Sequence, residues 1–432
     1  MMESYQIPSI GSGLNRKAPW ATFIFLMLVF FIAQHDVFFS LKKSFDSLEE
    51  WALMNTIEGN PSRRVALLTL GLFSVICLMR NRSNQFEING FLGWLLVFFI
   101  VWSFFSISWA VDPSLTFRRL IVFAISLLTA LALASRFWIS CIPLFVFLSA
   151  SLYLLIGLSA EIILETFQPT LAEYRFAGTL HPNSQGVNCA LMFLAGVSIA
   201  WSTKRGRSFF LTAALVAFIF LILTKSRTSF ISALIAQTLH WTLLSSNSKK
   251  SIFIKSIFWG MGISWLIFLL FLILGDNLTS LASSGILLGR EDSEVLTFTG
   301  RTLIWEKCLE YVAERPLHGY GFNSFWTPAH IHEVSTLFDM GVIDAHSAYI
   351  DLLLNVGLVG MISYVSIIGL GIRKSFDYYK ITRDIGYSFH FKLSIFSLIH
   401  GLLEAGQVQV SLGTLLILWG LVHLAFLRPW GK

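Results

Sequence analysis

Long runs of apolar residues recur along almost the whole chain, and they constrain its fold more than any other feature of the sequence. A helix that crosses a bilayer needs about 20 predominantly apolar residues. Of the 432 residues, 55% are hydrophobic and only 13% are charged, whereas a soluble protein has about a quarter of its residues charged. The sequence therefore predicts an integral membrane protein. It excludes a soluble enzyme, a disordered chain, a disulfide scaffold and a nucleic-acid-binding protein.

The apolar runs predict an all-α polytopic membrane protein with about 12 transmembrane helices. The predicted spans are residues 20–39, 64–80, 91–110, 119–135, 137–160, 186–202, 208–224, 228–245, 252–275, 346–372, 390–405 and 410–427. They divide the chain into a cytoplasmic tail at 1–19, transmembrane helices 1–9 at 20–275, a long periplasmic loop at 276–345, transmembrane helices 10–12 at 346–427 and a cytoplasmic C-terminus at 428–432.

The distribution of Lys and Arg orients these spans. With the N-terminus in the cytoplasm, the inner segments carry more than half of the 31 Lys and Arg residues. Of the 25 acidic residues they carry only Glu3, Glu87, Asp377 and Asp384. Cytoplasmic loops of membrane proteins are enriched in Lys and Arg. The bias therefore predicts that both termini face the cytoplasm and that the long loop faces outwards.

Loops as long as 276–345 are usually functional or disordered, and this one has a helical pattern. A helix ending before Pro316 would carry an apolar face formed by Ile304, Trp305, Cys308, Leu309 and Val312. We therefore expect amphipathic helices on the outer membrane face. The four cysteines have no obvious pairing, so the sequence predicts no disulfide.

Several arginines lie on the predicted outer side, against the general bias. They are Arg118, Arg119, Arg175, Arg227 and Arg301. One interpretation is that each reaches lipid headgroups or pairs with a local carboxylate. The other is that they bind an anion together, because guanidinium groups bind phosphate oxygens in a bidentate way. The second interpretation predicts a lipid-linked diphosphate as ligand.

His346 lies where the long loop meets the predicted tenth span. A helix N-terminus disfavours added positive charge, and a general base requires a neutral imidazole. Asp344 and Asp351 are both near enough in sequence to orient the ring. The alternative is a helix-capping or interfacial histidine.

His181 precedes the sixth span and is followed by Pro182 and Asn183, which are expected to be turn and cap residues. His181 and Asn183 are also accessory candidates for the site. His330, His332 and Glu333 form a His-x-His-Glu cluster without a clear further ligand. We predict no metal and no cofactor.

Four segments, in this order, resemble the O-antigen ligase and Wzy-type polysaccharide polymerase superfamily, which contains polytopic glycosyltransferases of the GT-C class. They are Ser-Arg-Thr at 226–228, Gly-Arg-Thr-Leu-Ile-Trp at 300–305, Arg-Pro-Leu-His-Gly-Tyr-Gly-Phe at 315–322, and the segment 345–357, which begins Ala-His-Ser-Ala-Tyr-Ile-Asp. The earlier segment 109–120 resembles the exopolysaccharide polymerases within that group.

The resemblance implies a GT-C-like enzyme of the bacterial inner membrane with its active site facing the periplasm. Its donor would be a polyprenyl-diphosphate-linked oligosaccharide, transferred to an acceptor sugar hydroxyl in exopolysaccharide or O-antigen polymerisation. By the same resemblance His346 is the base, and Arg227 and Arg301 hold the diphosphate. Ser347 departs from the family pattern, in which Asn often follows the histidine.

The residues also agree with a metal-independent, inverting reaction, because arginines can neutralise a leaving diphosphate. Arg175, Arg118 and Arg119 would add further phosphate contacts, and Asp344 is an accessory candidate. Two alternatives stay open. One is an O-antigen ligase that joins the glycan to lipid A core. The other is a transporter of lipids or glycolipids, although no internal repeat typical of transporters is visible.

Overall fold

The structure of the protein is a computed structural model that describes residues 20–34, 61–80, 86–171, 173–244, 296–338, 341–405 and 411–427. Over these residues it contains α-helices and short 3-10 turns and no strand. The helices are α1 (Trp20–Gln34), α2 (Pro61–Arg80), α3 (Gly90–Phe105), α4 (Pro113–Arg136), α5 (Ile142–Ile163), α6 (Pro182–Ser202), α7 (Arg207–Leu223), α8 (Arg227–Leu244), α9 (Leu296–Glu314), α10 (Pro328–Phe338), α11 (Ala348–Thr382), α12 (Ile385–His400) and α13 (Leu412–Phe426).

The all-helical membrane architecture that the sequence predicts is confirmed for the described residues. Six helices there are long and apolar enough to cross a membrane, and α7 and α13 are shorter apolar helices. Each predicted span except 252–275 corresponds to a helix. Residues 252–275, like 1–19, 276–295 and 428–432, lie outside the described residues. The total of about 12 spans therefore stays a prediction.

The helices form two compact units. The first lies within Met1–Asp36, Ser40–Phe145 and Ile304–Lys432, and the second mainly within Val146–Leu303. In the first unit α4 packs against α2 and α13, and α11 packs against α3 and α12. In the second unit α6 packs against α7 and α8. The boundaries between the units fall inside α5 and α9.

Helix α11 is broken at Gly357, which has φ +67°. The turn at 316–321 fills the break with backbone hydrogen bonds. Tyr320 N donates to Leu354 O over 2.8 Å, and Leu358 N donates to Pro316 O over 2.8 Å. Polar backbone groups freed by a helix break in a membrane must be bonded by neighbouring protein. The turn meets this need.

The same turn is bonded to the segment that precedes α4. Trp109 Nε1 donates to His318 O over 3.0 Å, and Val111 N donates to Tyr320 O over 3.1 Å. Three of the segments that carry the family resemblance, 109–120, 315–322 and 345–357, thus come together in the first unit.

Helices α9 and α10 form a small apolar core with the segments around them. Its buried members are Ile304, Cys308, Tyr311, Tyr320, Phe325, Val334, Val342, Ala345 and Leu354. The predicted apolar face is wrong at Leu309, which is 49% exposed, whereas Tyr311 is buried. All four cysteines are buried and free.

Candidate functional site: the His346–Asp344 pair and the hydrogen bonds of Arg175

His346 lies just before α11 in a left-handed backbone conformation. The helix starts at Ala348 with Ser347 as its N-cap, so the predicted start of the span at residue 346 is two residues early. The φ of His346 is +49°. This conformation costs a non-glycine residue on the order of 1–3 kcal/mol and persists only when its surroundings impose it. Such strained residues cluster at functional sites.

Asp344 contacts both the backbone and the ring of His346. Its Oδ1 accepts a 2.8 Å hydrogen bond from His346 N and lies 3.2 Å from His346 Nδ1. A proton on Nδ1 would be donated to this carboxylate, which leaves the Nε2 lone pair able to accept another proton. The His346 side chain is 36% exposed and that of Asp344 20%, so the ring is accessible while its orienting carboxylate is more shielded.

Asp351, the second carboxylate that the sequence offered for this role, bonds elsewhere. Its Oδ1 accepts from Trp326 Nε1 over 2.9 Å and from Ala345 N over 3.2 Å. Trp305 Nε1 donates to Ala345 O over 2.8 Å. Both backbone groups of the residue before His346 are therefore held by side chains.

In the second unit, Arg175 lies in a cluster of hydrogen bonds. Its Nη2 donates to Asn183 Oδ1 over 3.0 Å, and its Nε donates to Thr224 O over 3.3 Å. Phe176 N donates to Leu223 O over 2.9 Å. Thr224 precedes Arg227, the first residue of α8, by three positions. The C-terminal end of α7 therefore accepts a hydrogen bond from Arg175 and lies three positions before Arg227, and both of these arginines are predicted to bind phosphate.

The motif at 226–228 is packed tightly against α6. A Cβ on Gly186 would lie 2.6 Å from Ser226 Cβ, which leaves no room for a side chain there. Ser226 Oγ donates to Ser229 Oγ over 3.0 Å. This close packing fixes the backbone from which Arg227 extends.

Glu161, near the end of α5, ties down the loop that carries Arg175. Its side chain is buried, and Oε1 accepts hydrogen bonds from Ala177 N over 3.0 Å and from Gly178 N over 2.6 Å. Its Oε2 accepts one from the Tyr174 hydroxyl. Burial, followed by the bond to Glu161, raises the pKa of Tyr174. Glu161 was not among the predicted site residues, because its only signal in the sequence is one acidic residue at the end of an apolar run.

The remaining predicted residues occupy defined places. His181 is the N-cap of α6, with Nδ1 accepting from Asn183 N over 3.3 Å, and Pro182 is the first helical residue. The N-cap is therefore His181, and the expected turn and cap residues Pro182 and Asn183 lie in the first turn of the helix. Arg118 is exposed and Arg119 half-buried near the start of α4, and Arg301 is half-buried on α9.

The structure thus assigns the predicted residues to two groups. Asp344, His346, Arg118 and Arg119 belong to the first unit, and Arg175, His181, Asn183, Arg227 and Arg301 to the second. Within the described ranges, no three His, Cys, Asp or Glu side chains are arranged to hold a metal ion.

Comparison with known families adds an independent finding. Residues 190–365 match the family model described as O-antigen ligase. No curated protein matches the chain. The matched segment contains Arg227, Arg301 and His346. The resemblance to the O-antigen ligase and Wzy-type polymerase superfamily is therefore confirmed, and it is carried by residues 190–365 of this membrane protein.

Proposed function

We propose that the protein is a glycosyltransferase that moves a polyprenyl-diphosphate-linked glycan onto an acceptor sugar hydroxyl at the periplasmic face of a bacterial inner membrane. The family match supports a membrane glycan-processing function. The observation that carries the finer proposal is the pairing of Asp344 Oδ1 with His346 Nδ1 at 3.2 Å. It gives an accessible imidazole the orientation that a general base needs.

In this mechanism His346 Nε2 accepts the proton of the acceptor hydroxyl as its oxygen attacks the anomeric carbon of the donor. The bond between that carbon and the diphosphate oxygen breaks, and polyprenyl diphosphate leaves. Asp344 holds the ring and stabilises the imidazolium that forms. General base catalysis of this kind contributes about 10²–10⁴-fold in rate. A single displacement without a protein nucleophile inverts the anomeric configuration.

The arginines are assigned to the leaving group. Arg175, Arg227 and Arg301 would neutralise the diphosphate, and Arg118 and Arg119 would add contacts to phosphate or to membrane lipids. The hydrogen bonds of Arg175 to Asn183 and Thr224 support this role, because a preorganised cation stabilises developing negative charge without reorganisation. The proposed transfer needs no metal ion and no cofactor.

We favour polymerisation over ligation. The segment 109–120, which resembles exopolysaccharide polymerases, is bonded through Trp109 and Val111 to the 315–322 turn. Both reactions use the same donor and differ in the acceptor. Purified protein given lipid-linked repeat units alone should form longer chains if it is a polymerase. Product that forms only after lipid A core is added would indicate a ligase.

The direct test of the proposal uses the protein in proteoliposomes with a labelled lipid-linked donor. We expect His346→Ala to lower glycan transfer by about 10³-fold, in the range for loss of a general base. His332→Ala, which changes an exposed histidine on α10, is the matched control and should keep normal transfer. Near-normal transfer by His346→Ala would contradict the proposal. Lipid scrambling without new glycosidic bonds would instead indicate a transporter.

A further inference from the structure

We propose that Asp351 is a positioning residue that keeps His346 in its left-handed conformation, and that it acts as a hydrogen-bond acceptor and not through its charge. The inference rests on the proposed role of His346 as the base. It assigns to a second carboxylate a task that is distinct from the contact between Asp344 and the ring.

Residue 345, which precedes His346, is held at both backbone groups and at its side chain. Asp351 Oδ1 accepts from Ala345 N over 3.2 Å, and Trp305 Nε1 donates to Ala345 O over 2.8 Å. The Ala345 methyl group belongs to the apolar core and is fully buried. With both backbone groups and the side chain fixed, the peptide that leads into His346 has a defined orientation. A strained φ persists only under such restraint.

Asp351 is itself held by several hydrogen bonds. Asp351 N donates to Ser347 O over 3.0 Å in the first turn of α11, and Trp326 Nε1 donates to its Oδ1 over 2.9 Å. Asn355 Nδ2 donates to Asp351 O over 2.6 Å, and Phe325 N donates to Asn355 Oδ1 over 3.0 Å. Asp351 therefore links the start of α11 to the segment at 325–326 and to residue 345.

The hydrogen bonds that the Asp351 side chain accepts do not need its negative charge. Both donors to the Asp351 side chain, a backbone amide and an indole, are neutral, and both bond the same oxygen. One amide oxygen can accept two such hydrogen bonds as a carboxylate oxygen does. The carboxylate that meets the His346 ring belongs to Asp344. Replacement of Asp351 by Asn should therefore preserve the function, whereas removal of the acceptor should not.

The test compares Asp351→Asn with Asp351→Leu in the full-length protein, with purified lipid-linked donor as the probe. We expect Asp351→Asn to keep kcat within about threefold, because the accepted hydrogen bonds remain. Asp351→Leu should lower kcat by about 100-fold, as expected when a catalytic group is displaced by about 1 Å. The donor KM should change little. Asp377→Asn, which alters an exposed carboxylate on the same helix, is the control.

A second variant keeps the test decisive if Asp351→Leu fails to fold. Trp305→Phe removes the donor to Ala345 O and keeps an aromatic ring. It should lower kcat by about tenfold, with the pH profile of kcat/KM unchanged.

The outcomes separate this inference from the proposed function. A folded Asp351→Leu variant with normal kcat, beside an inactive His346→Ala variant, would overturn the positioning role alone. An Asp351→Asn variant as impaired as Asp351→Leu, or one with a shifted pH profile, would show that the charge is needed and would also overturn it. An active His346→Ala variant would remove the base assignment itself.

Discussion

Arg175 Nη2 donates a 3.0 Å hydrogen bond to Asn183 Oδ1, which joins the loop after α5 to the first turn of α6. The acceptor is an uncharged amide, so this hydrogen bond orients the guanidinium without placing a negative charge beside it. A carboxylate at position 183 would instead weaken the attraction of the guanidinium for phosphate.

The first prediction changes the charge of that acceptor. Asn183→Asp should raise the donor KM by about tenfold, because the new carboxylate would pair with Arg175 and compete with the diphosphate. Asn183→Ala should raise it by only about threefold through loss of one hydrogen bond. Initial rates measured against donor concentration test this, with the acceptor KM as the internal control. An unchanged donor KM in Asn183→Asp would remove Arg175 from the phosphate site.

The second prediction concerns the stability of the Arg175 loop. Glu161→Leu would leave Ala177 N, Gly178 N and the Tyr174 hydroxyl without their acceptor. An unsatisfied, fully buried donor costs about 1–3 kcal/mol. Because these three donors are only partly buried, we expect the free energy of unfolding to fall by about 2–5 kcal/mol in total. Tyr174→Phe, which removes one donor and keeps the acceptor, should cost about 1 kcal/mol.

Thermal unfolding in detergent should rank these variants as wild type, Tyr174→Phe, Glu161→Leu in order of decreasing stability. The rate of protease cleavage within 164–181 should increase in the same order, because this loop loses its hydrogen bonds to α5. Equal stability of the three proteins would show that the Glu161 network does not hold the loop.

The third prediction uses two glycines of α11. A Cβ on Gly357 would lie 2.3 Å from Leu317 C, and the residue has a positive φ, whereas a Cβ on Gly369 would meet nothing within 4 Å. Gly357→Ala should therefore displace the 316–321 turn and prevent accumulation of folded protein. Gly369→Ala should be neutral or stabilise the helix by up to about 1 kcal/mol, because Ala is the better helix former.

Size-exclusion profiles of a fluorescent fusion separate the two variants. A sharp monodisperse peak for Gly369→Ala and an aggregated profile for Gly357→Ala are expected. If both gave the wild-type profile, the backbone pairing between the 316–321 turn and α11 would not be essential to the fold.

The helices were predictable because their signal is local. A bilayer demands about 20 consecutive apolar residues, so α7 and α8 can be recognised in the sequence within a few residues of their ends. The break in α11 could not be recognised. Val356 and Leu358 continue the apolar run, and Gly357 is explained only by the turn at 316–321, which lies about forty positions earlier in the chain.

The sequence proposes the residue types of the candidate site and not its network of hydrogen bonds. His346 and the outer arginines stand out because ionisable groups are costly near a membrane. Which of the two carboxylates, Asp344 or Asp351, contacts the His346 ring depends on the left-handed turn at His346, which no periodicity encodes. Glu161 was missed because its donors lie 13–17 positions further along the chain, in a loop without a repeating pattern.

The last prediction tests the environment of Cys308 beside the proposed base. Burial, and then the nearby charges of Asp351 and Asp344, raise the pKa of this thiol. Alkylation requires the thiolate, so a thiol whose pKa is raised stays protonated and unreactive as the pH rises through 8 and 9. We expect a membrane-impermeant maleimide to leave Cys308 unlabelled over pH 7–9 in the folded protein and to label it after denaturation.

Glu310→Cys places a thiol at an exposed position on the same helix, and its labelling should accelerate by about tenfold per pH unit below its pKa. Labelling is read by mass spectrometry of the peptide that contains both positions. Equal rates at Cys308 and at the introduced cysteine would show that the apolar core that contains Cys308 and Tyr311 is open to solvent.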